Sequence, residues 1–78
     1  MKCMVRVSVR ADHLHDGRIV PRMFRMSEDV PPVPIDRLLA VDQTGAFKAG
    51  WDGWRYTCRV EEKMVYLYHS HGLWFVEV

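Results

Sequence analysis

Hydrophobic and polar positions alternate from the start of the chain. Cys3, Val5, Val7 and Val9 fall on one face and Met4, Arg6, Ser8 and Arg10 on the other. A period of two places successive side chains on opposite sides of a strand, so this segment predicts a half-buried first strand. Residues 12–17 read as a turn. Residues 18–26 resume a strand, with Pro21 requiring an edge position or an irregular start because it cannot donate to a ladder. Residues 28–34 are punctuation: Pro31, Pro32 and Pro34 hold the backbone near polyproline or β geometry and forbid a helix before Ile35. Residues 35–42 fit two patterns. Ile35, Leu38, Leu39 and Asp42 have helical spacing, whereas Ile35, Arg37, Leu39 and Val41 have strand spacing, and we read the segment as a strand. Residues 43–53 hold three glycines and predict a long surface loop or a loop with one helical turn.

Beyond that loop the alternation is clean. Trp54, Tyr56, Cys58 and Val60 interleave with Arg55, Thr57 and Arg59, residues 61–63 turn, 64–68 run back, 69–72 turn again and 73–78 finish. Six short strands without a crossover helix predict an all-β fold, a small antiparallel barrel or strongly bent sheet of the SH3-like or OB-like sort. The faces predict a core of Val5, Val7, Val9, Leu39, Tyr56, Cys58, Val60, Leu67, Trp74 and Val76, with Trp54 beside it. A slip of one residue would invert any one strand.

The chain has 78 residues, within the span of a single domain of roughly 50–250 residues. Eleven Lys and Arg against ten Asp and Glu give a net charge of +1, which excludes a polybasic nucleic-acid binder held by bulk charge. No basic-then-apolar leader opens the sequence, and no apolar run approaches the roughly 18–20 residues of a membrane span. A cytoplasmic protein with no membrane partner is therefore expected. In that compartment Cys3 and Cys58 are expected as reduced thiols on apolar strand faces.

The blocks Ile35-Asp36-Arg37-Leu38-Leu39, Phe47-Lys48-Ala49-Gly50, Arg55-Tyr56-Thr57-Cys58-Arg59, Tyr66-Leu67-Tyr68 and Trp74-Phe75-Val76-Glu77 resemble a small all-β family. Its members are short, uncharacterised reading frames of Gram-positive anaerobic bacteria, often associated with mobile genetic elements. The resemblance covers about the last 45 residues and part of the first hairpin, and implies a small β-barrel with no known activity. Such sequences tend to carry an acidic-Gly-basic turn before the Ile-Asp-Arg block. Here Val30-Pro31-Pro32-Val33-Pro34 stands in its place.

Three constellations bear on chemistry. His13-x-His15 and His69-x-His71 each offer two imidazoles to one face of a strand, the donor set of a zinc site if both pairs met. All four fall in expected turns, where solvated histidines are ordinary, so no metal or other cofactor is assigned. The second is arginine with aromatic residues. Eight of the 11 basic residues are Arg, which suits planar contacts to phosphate. Inward Trp54, Tyr56 and Cys58 turn Arg55 and Arg59 outward, as Arg6 and Arg10 are on the first strand, with Tyr66, Tyr68 and Phe75 alongside. Small barrels hold single-stranded nucleic acid on such a face, although cross-strand pairing with carboxylates is the commoner use of surface Arg. The third is the loop Lys48-Ala49-Gly50-Trp51-Asp52-Gly53-Trp54, which lacks phosphate-loop spacing and whose Trp51 reads as a plug or a partly exposed contact.

Catalysis has no support in this chain. His69-Ser70-His71 looks like part of a triad, but neighbours in a strand point to opposite faces. The reading is a non-enzymatic binding or accessory module that meets an unknown protein partner through an aromatic surface or a sheet edge. The alternative is a weak single-stranded nucleic-acid binder on the Arg and aromatic face. Whether Arg6, Arg10, Arg55 and Arg59 form one positive patch free of carboxylates discriminates the two.

Overall fold

In the computed structural model, which describes residues 3–43 and 53–77, the alternating segments are strands. They are β1 (Met4–His13), β2 (Ile19–Arg25), β3 (Val33–Pro34), β4 (Arg37–Gln43), β5 (Trp54–Val60), β6 (Lys63–Ser70) and β7 (Leu73–Glu77). All pair antiparallel in one sheet of order β3-β2-β1-β7-β6-β5-β4, curled strongly into a half-barrel. The all-β expectation holds, with seven strands where six were expected. The additional one is β3, two residues long inside the proline-rich stretch, too short to show a periodicity. Of residues 35–42, Arg37 to Asp42 lie in β4 as expected, whereas Ile35 and Asp36 form the connection that precedes it. No helix among the described residues is long and apolar enough to cross a membrane.

The core is built by the inner faces of β5, β6, β7, β1 and β2: Val7, Phe24, Tyr56, Cys58, Val60, Leu67 and Val76 are buried, and Val5, Val9, Leu38 and Trp74 pack against them. Register explains the set. Tyr56 stands opposite Leu67, which stands opposite Val76, which stands opposite Val5, so one row of apolar side chains crosses four strands.

Four placements correct the sequence reading. Leu39 is 45% exposed instead of buried. A bulge in β4 sets Leu38 opposite Cys58 and Ala40 opposite Thr57, leaving Leu39 as the extra residue, and the inward place passes to Leu38. Trp54 is also 45% exposed: it is on the inner face as expected, but in the row of Gln43 and His69 at the last pair of the β4–β5 ladder. Cys3 is exposed; it precedes β1 and lies beyond Met4–Glu77, the last pair of the β1–β7 ladder among the described residues. Cys58 is a free and buried thiol whose burial pushes it up to about 11, well away from reactivity. His13 and His69 lie in strands, leaving only His15 and His71 outside them.

Phe24 joins the core through a second bulge. Arg10 faces Met23 and Ala11 faces Pro21, so Arg22 is passed over. The same irregularity accommodates Pro21, which is buried next to the bulge and beyond the two positions where β2 pairs with β3.

One end of the curl is sealed by the β3–β4 connection. The Ile35 N–H donates to the Arg22 carbonyl at 2.8 Å and the Asp36 N–H to the Arg59 carbonyl at 2.9 Å. The Asp36 carboxylate then accepts the Glu61 N–H at 2.8 Å. Two residues thus bridge β2 to β5, and the sheet closes there without a continuous ladder.

Candidate functional site

At the other end β2 and β4 diverge. Between them opens a groove of about 840 Å3, lined by Ile19 and Val20 from β2, Leu38 and Val41 from β4, and Trp54 and Tyr56 from β5. Asp16, Arg18, His69 and His71 form its rim. The volume falls in the range of natural ligand sites, roughly 300–1,000 Å3, and the walls are apolar with polar groups at the mouth, the usual character of such sites. Two of its lining residues are fixed by ring contacts to Trp74 outside the groove: Tyr56 and Trp74 lie 5.1 Å apart and tilted, and His69 stacks on Trp74 at 4.2 Å with an interplanar angle of 11°. Burial, with a smaller contribution from the charge of nearby His13, holds His69 below its ordinary value, so its imidazole favours the neutral form.

The two edges of the sheet differ in kind. The β3 edge is two residues long, contains Pro34 and follows Pro31 and Pro32, all of which blunt strand pairing. The β4 edge is seven residues long, and beside the groove it presents Leu39 and Val41, the latter 43% exposed. Long apolar edges of this kind are templates for another strand.

Sequence reasoning predicts the outward face well in direction and poorly in composition. Arg6, Phe75, Tyr68, Arg55 and Asp42 form one row across β1, β7, β6, β5 and β4. Arg55 is held at 3.5 Å by Asp42 and lies 5.4 Å from the centre of the Tyr66 ring. Tyr68 faces outward as expected but is only 1% exposed, and its hydroxyl donates to Glu77 at 2.9 Å. That ring is not open to stack a base.

Arg59 stands opposite both Met64 and Arg37, whereas Arg6 and Arg10 are on β1, beyond β7 and β6. Three strand spacings separate β1 from β5, about 14 Å. The four arginines therefore form two groups with Asp42 and Glu77 set among them. The groups contain members that sequence reasoning missed: Arg25 faces Ser8 between Arg6 and Arg10, and Arg37 faces Arg59. Cross-strand register was the missing signal. Trp51, the remaining candidate, lies outside the described residues.

The β1–β2 and β6–β7 turns lie at the same end of the sheet, and His13 is near enough to His69 to influence its charge. Among the described residues, no three His, Cys, Asp or Glu side chains come together in a metal-binding group. His69 faces inward with Leu67, whereas Ser70 takes the opposite face and is buried.

No protein-family model, curated protein or solved structure matches the chain.

Proposed function

We propose that this domain is a protein-interaction module that receives an extended segment as an added strand along β4, with alternate side chains of that segment dropping into the adjoining groove. The carrying observation is the contrast between the edges: β4 is seven residues long with Leu39 and Val41 exposed at its apolar middle, whereas β3 is two residues long and contains a proline. Strand addition takes its affinity from main-chain hydrogen bonds and its specificity from pockets for every second side chain. Leu38, Val41, Trp54 and Tyr56 supply such a pocket for large apolar residues. The nucleic-acid alternative has less support, since Arg55 is paired with Asp42 and Tyr68 is covered.

Extended peptides selected by display on the folded domain test the reading. Val41→Lys is expected to abolish binding of a selected peptide and Trp54→Ala to weaken it by about tenfold or more, the loss of an aromatic anchor. Binding that survives Val41→Lys unchanged would place the partner elsewhere. A labelled single-stranded oligonucleotide at low salt is the companion probe. Saturable binding, falling with salt at a slope near −0.7 per phosphate contact, would favour the alternative.

A further inference from the structure

We infer that the segment received by this edge is β4 of a second copy of the chain, antiparallel about a two-fold axis between Leu39 and Ala40. Arg37 of each copy then stands opposite Asp42 of the other. The inference rests on the edge-binding reading above.

Register selects this arrangement before charge is considered. Residues opposite one another in a ladder share a face. On β4, Leu38 and Val41 face inward with Cys58 and Tyr56, whereas Arg37, Ala40 and Asp42 face outward with Arg59, Thr57 and Arg55. In an uninterrupted strand, positions five apart point to opposite faces, so Arg37 and Asp42 could not meet. The bulge at Leu39 shifts the phase by one and puts them on the same side. With the axis between Leu39 and Ala40, Leu38 meets Val41 on the groove side and Arg37 meets Asp42 on the outer side, each twice. Moving the axis by half a residue, onto Leu39 or Ala40, sets an inward residue against an outward one.

Charge supports the same register. Within one copy Arg37 stands opposite Arg59, a like-charged cross-strand pair, and none of the ion pairs among the described residues uses either side chain. Like charges directly opposite are destabilising. The partner's Asp42 would supply the anion that Arg37 lacks while keeping its own contact with Arg55. Apolar matching completes the case: Leu39 and Val41, both more than two-fifths exposed, are covered by the same pairing. Such a closed, isologous contact stops at two copies and leaves no free β4 edge to propagate.

Sedimentation of the purified chain through the micromolar range tests this, alongside the display-selected peptide. A dimer is expected. Arg37→Glu should weaken it by about tenfold or more, since two attractive pairs become repulsive. Asp42→Arg should do the same, and Arg37→Glu with Asp42→Arg together should restore it. The near-ultraviolet tryptophan signal checks that each variant is folded, and the restored double variant keeps the test decisive if Asp42→Arg alone unfolds. A monomer that still binds the selected peptide would overturn the second-copy inference and leave the edge reading standing. A monomer that binds no peptide would remove both. A dimer indifferent to Arg37→Glu and to Val41→Lys would place the contact elsewhere and overturn the inference.

Discussion

The turns at the two ends of β6 share a backbone and differ in chemistry. Glu61 and Glu62 have φ of 50° and 72°, and His71 and Gly72 have φ of 52° and 79°. Positive φ at both central residues is the two-residue hairpin geometry that matches strand twist and that Asn-Gly satisfies best. His71-Gly72 comes close to that preference and needs no outside help. Glu61-Glu62 places two Cβ atoms in the left-handed region, at about 1 kcal/mol or more each. Its support is distant in sequence: Asp36, which directly precedes β4 and lies beside the end of β5, accepts the Glu61 N–H. The sealed end thus depends on a tertiary contact that overrides local preference, whereas the turn at the open end is self-sufficient.

The largest effect should come from breaking the open end. Gly53 is buried beneath β6, and a Cβ there would lie 2.6 Å from the His69 carbonyl oxygen and 2.9 Å from Ser70 Cβ. Main chain cannot swing aside as a side chain can, so Gly53→Ala should cost about 2–3 kcal/mol in urea unfolding. A loss below about 0.5 kcal/mol, the scale of neutral surface changes, would show that β6 yields there.

An intermediate effect of opposite sign is expected at the sealed end. Glu61→Asn with Glu62→Gly should raise stability by about 1–2 kcal/mol by removing the left-handed cost. An unchanged unfolding midpoint would mean that the Asp36 clamp already offsets that cost in full.

The smallest effect is one of pH. His69 is held below its ordinary 6.5 in the folded chain. Below that pH the unfolded chain therefore binds the proton first. The stability tied to this residue is complete above about pH 6.5 and is lost as pH falls through the folded-state value. His69→Phe keeps a ring on Trp74 and removes the titration, so the variant should lose less stability than the parent on going from about pH 7 to pH 5. Parallel curves would assign the acid response to other groups.

Legibility in the sequence followed the regularity of the backbone. From Trp54 to Glu77 the alternation is unbroken by proline and the turns have two residues, so the strand faces and core emerged, while the mouth position of Trp54, the burial of Tyr68 and the strand placement of His69 did not. On β4 and β2 a bulge changes the phase midway, and a bulge leaves no mark in a hydrophobic pattern; Leu39 was therefore placed inward and Phe24 overlooked. The outward directions of Arg6, Arg10, Arg55, Arg59, Tyr66 and Tyr68 were readable from the same alternation. Strand order was not. That β7 and β6 lie between β1 and β5, that Arg37 faces Arg59, and that β4 is an edge are facts of topology, and the groove exists only because of them.

Topology also governs how the chain finds its structure in time. The β4–β5, β5–β6, β6–β7 and β1–β2 ladders join neighbours along the chain, whereas β1–β7 brings Val7 to Trp74 across most of the sequence. Hairpins form in microseconds, but a contact between distant segments must first meet the entropy of closing the long loop between them. The meander and the β1–β2 hairpin are thus natural early units, and zipping β1 onto β7 is the late step that sets the refolding rate.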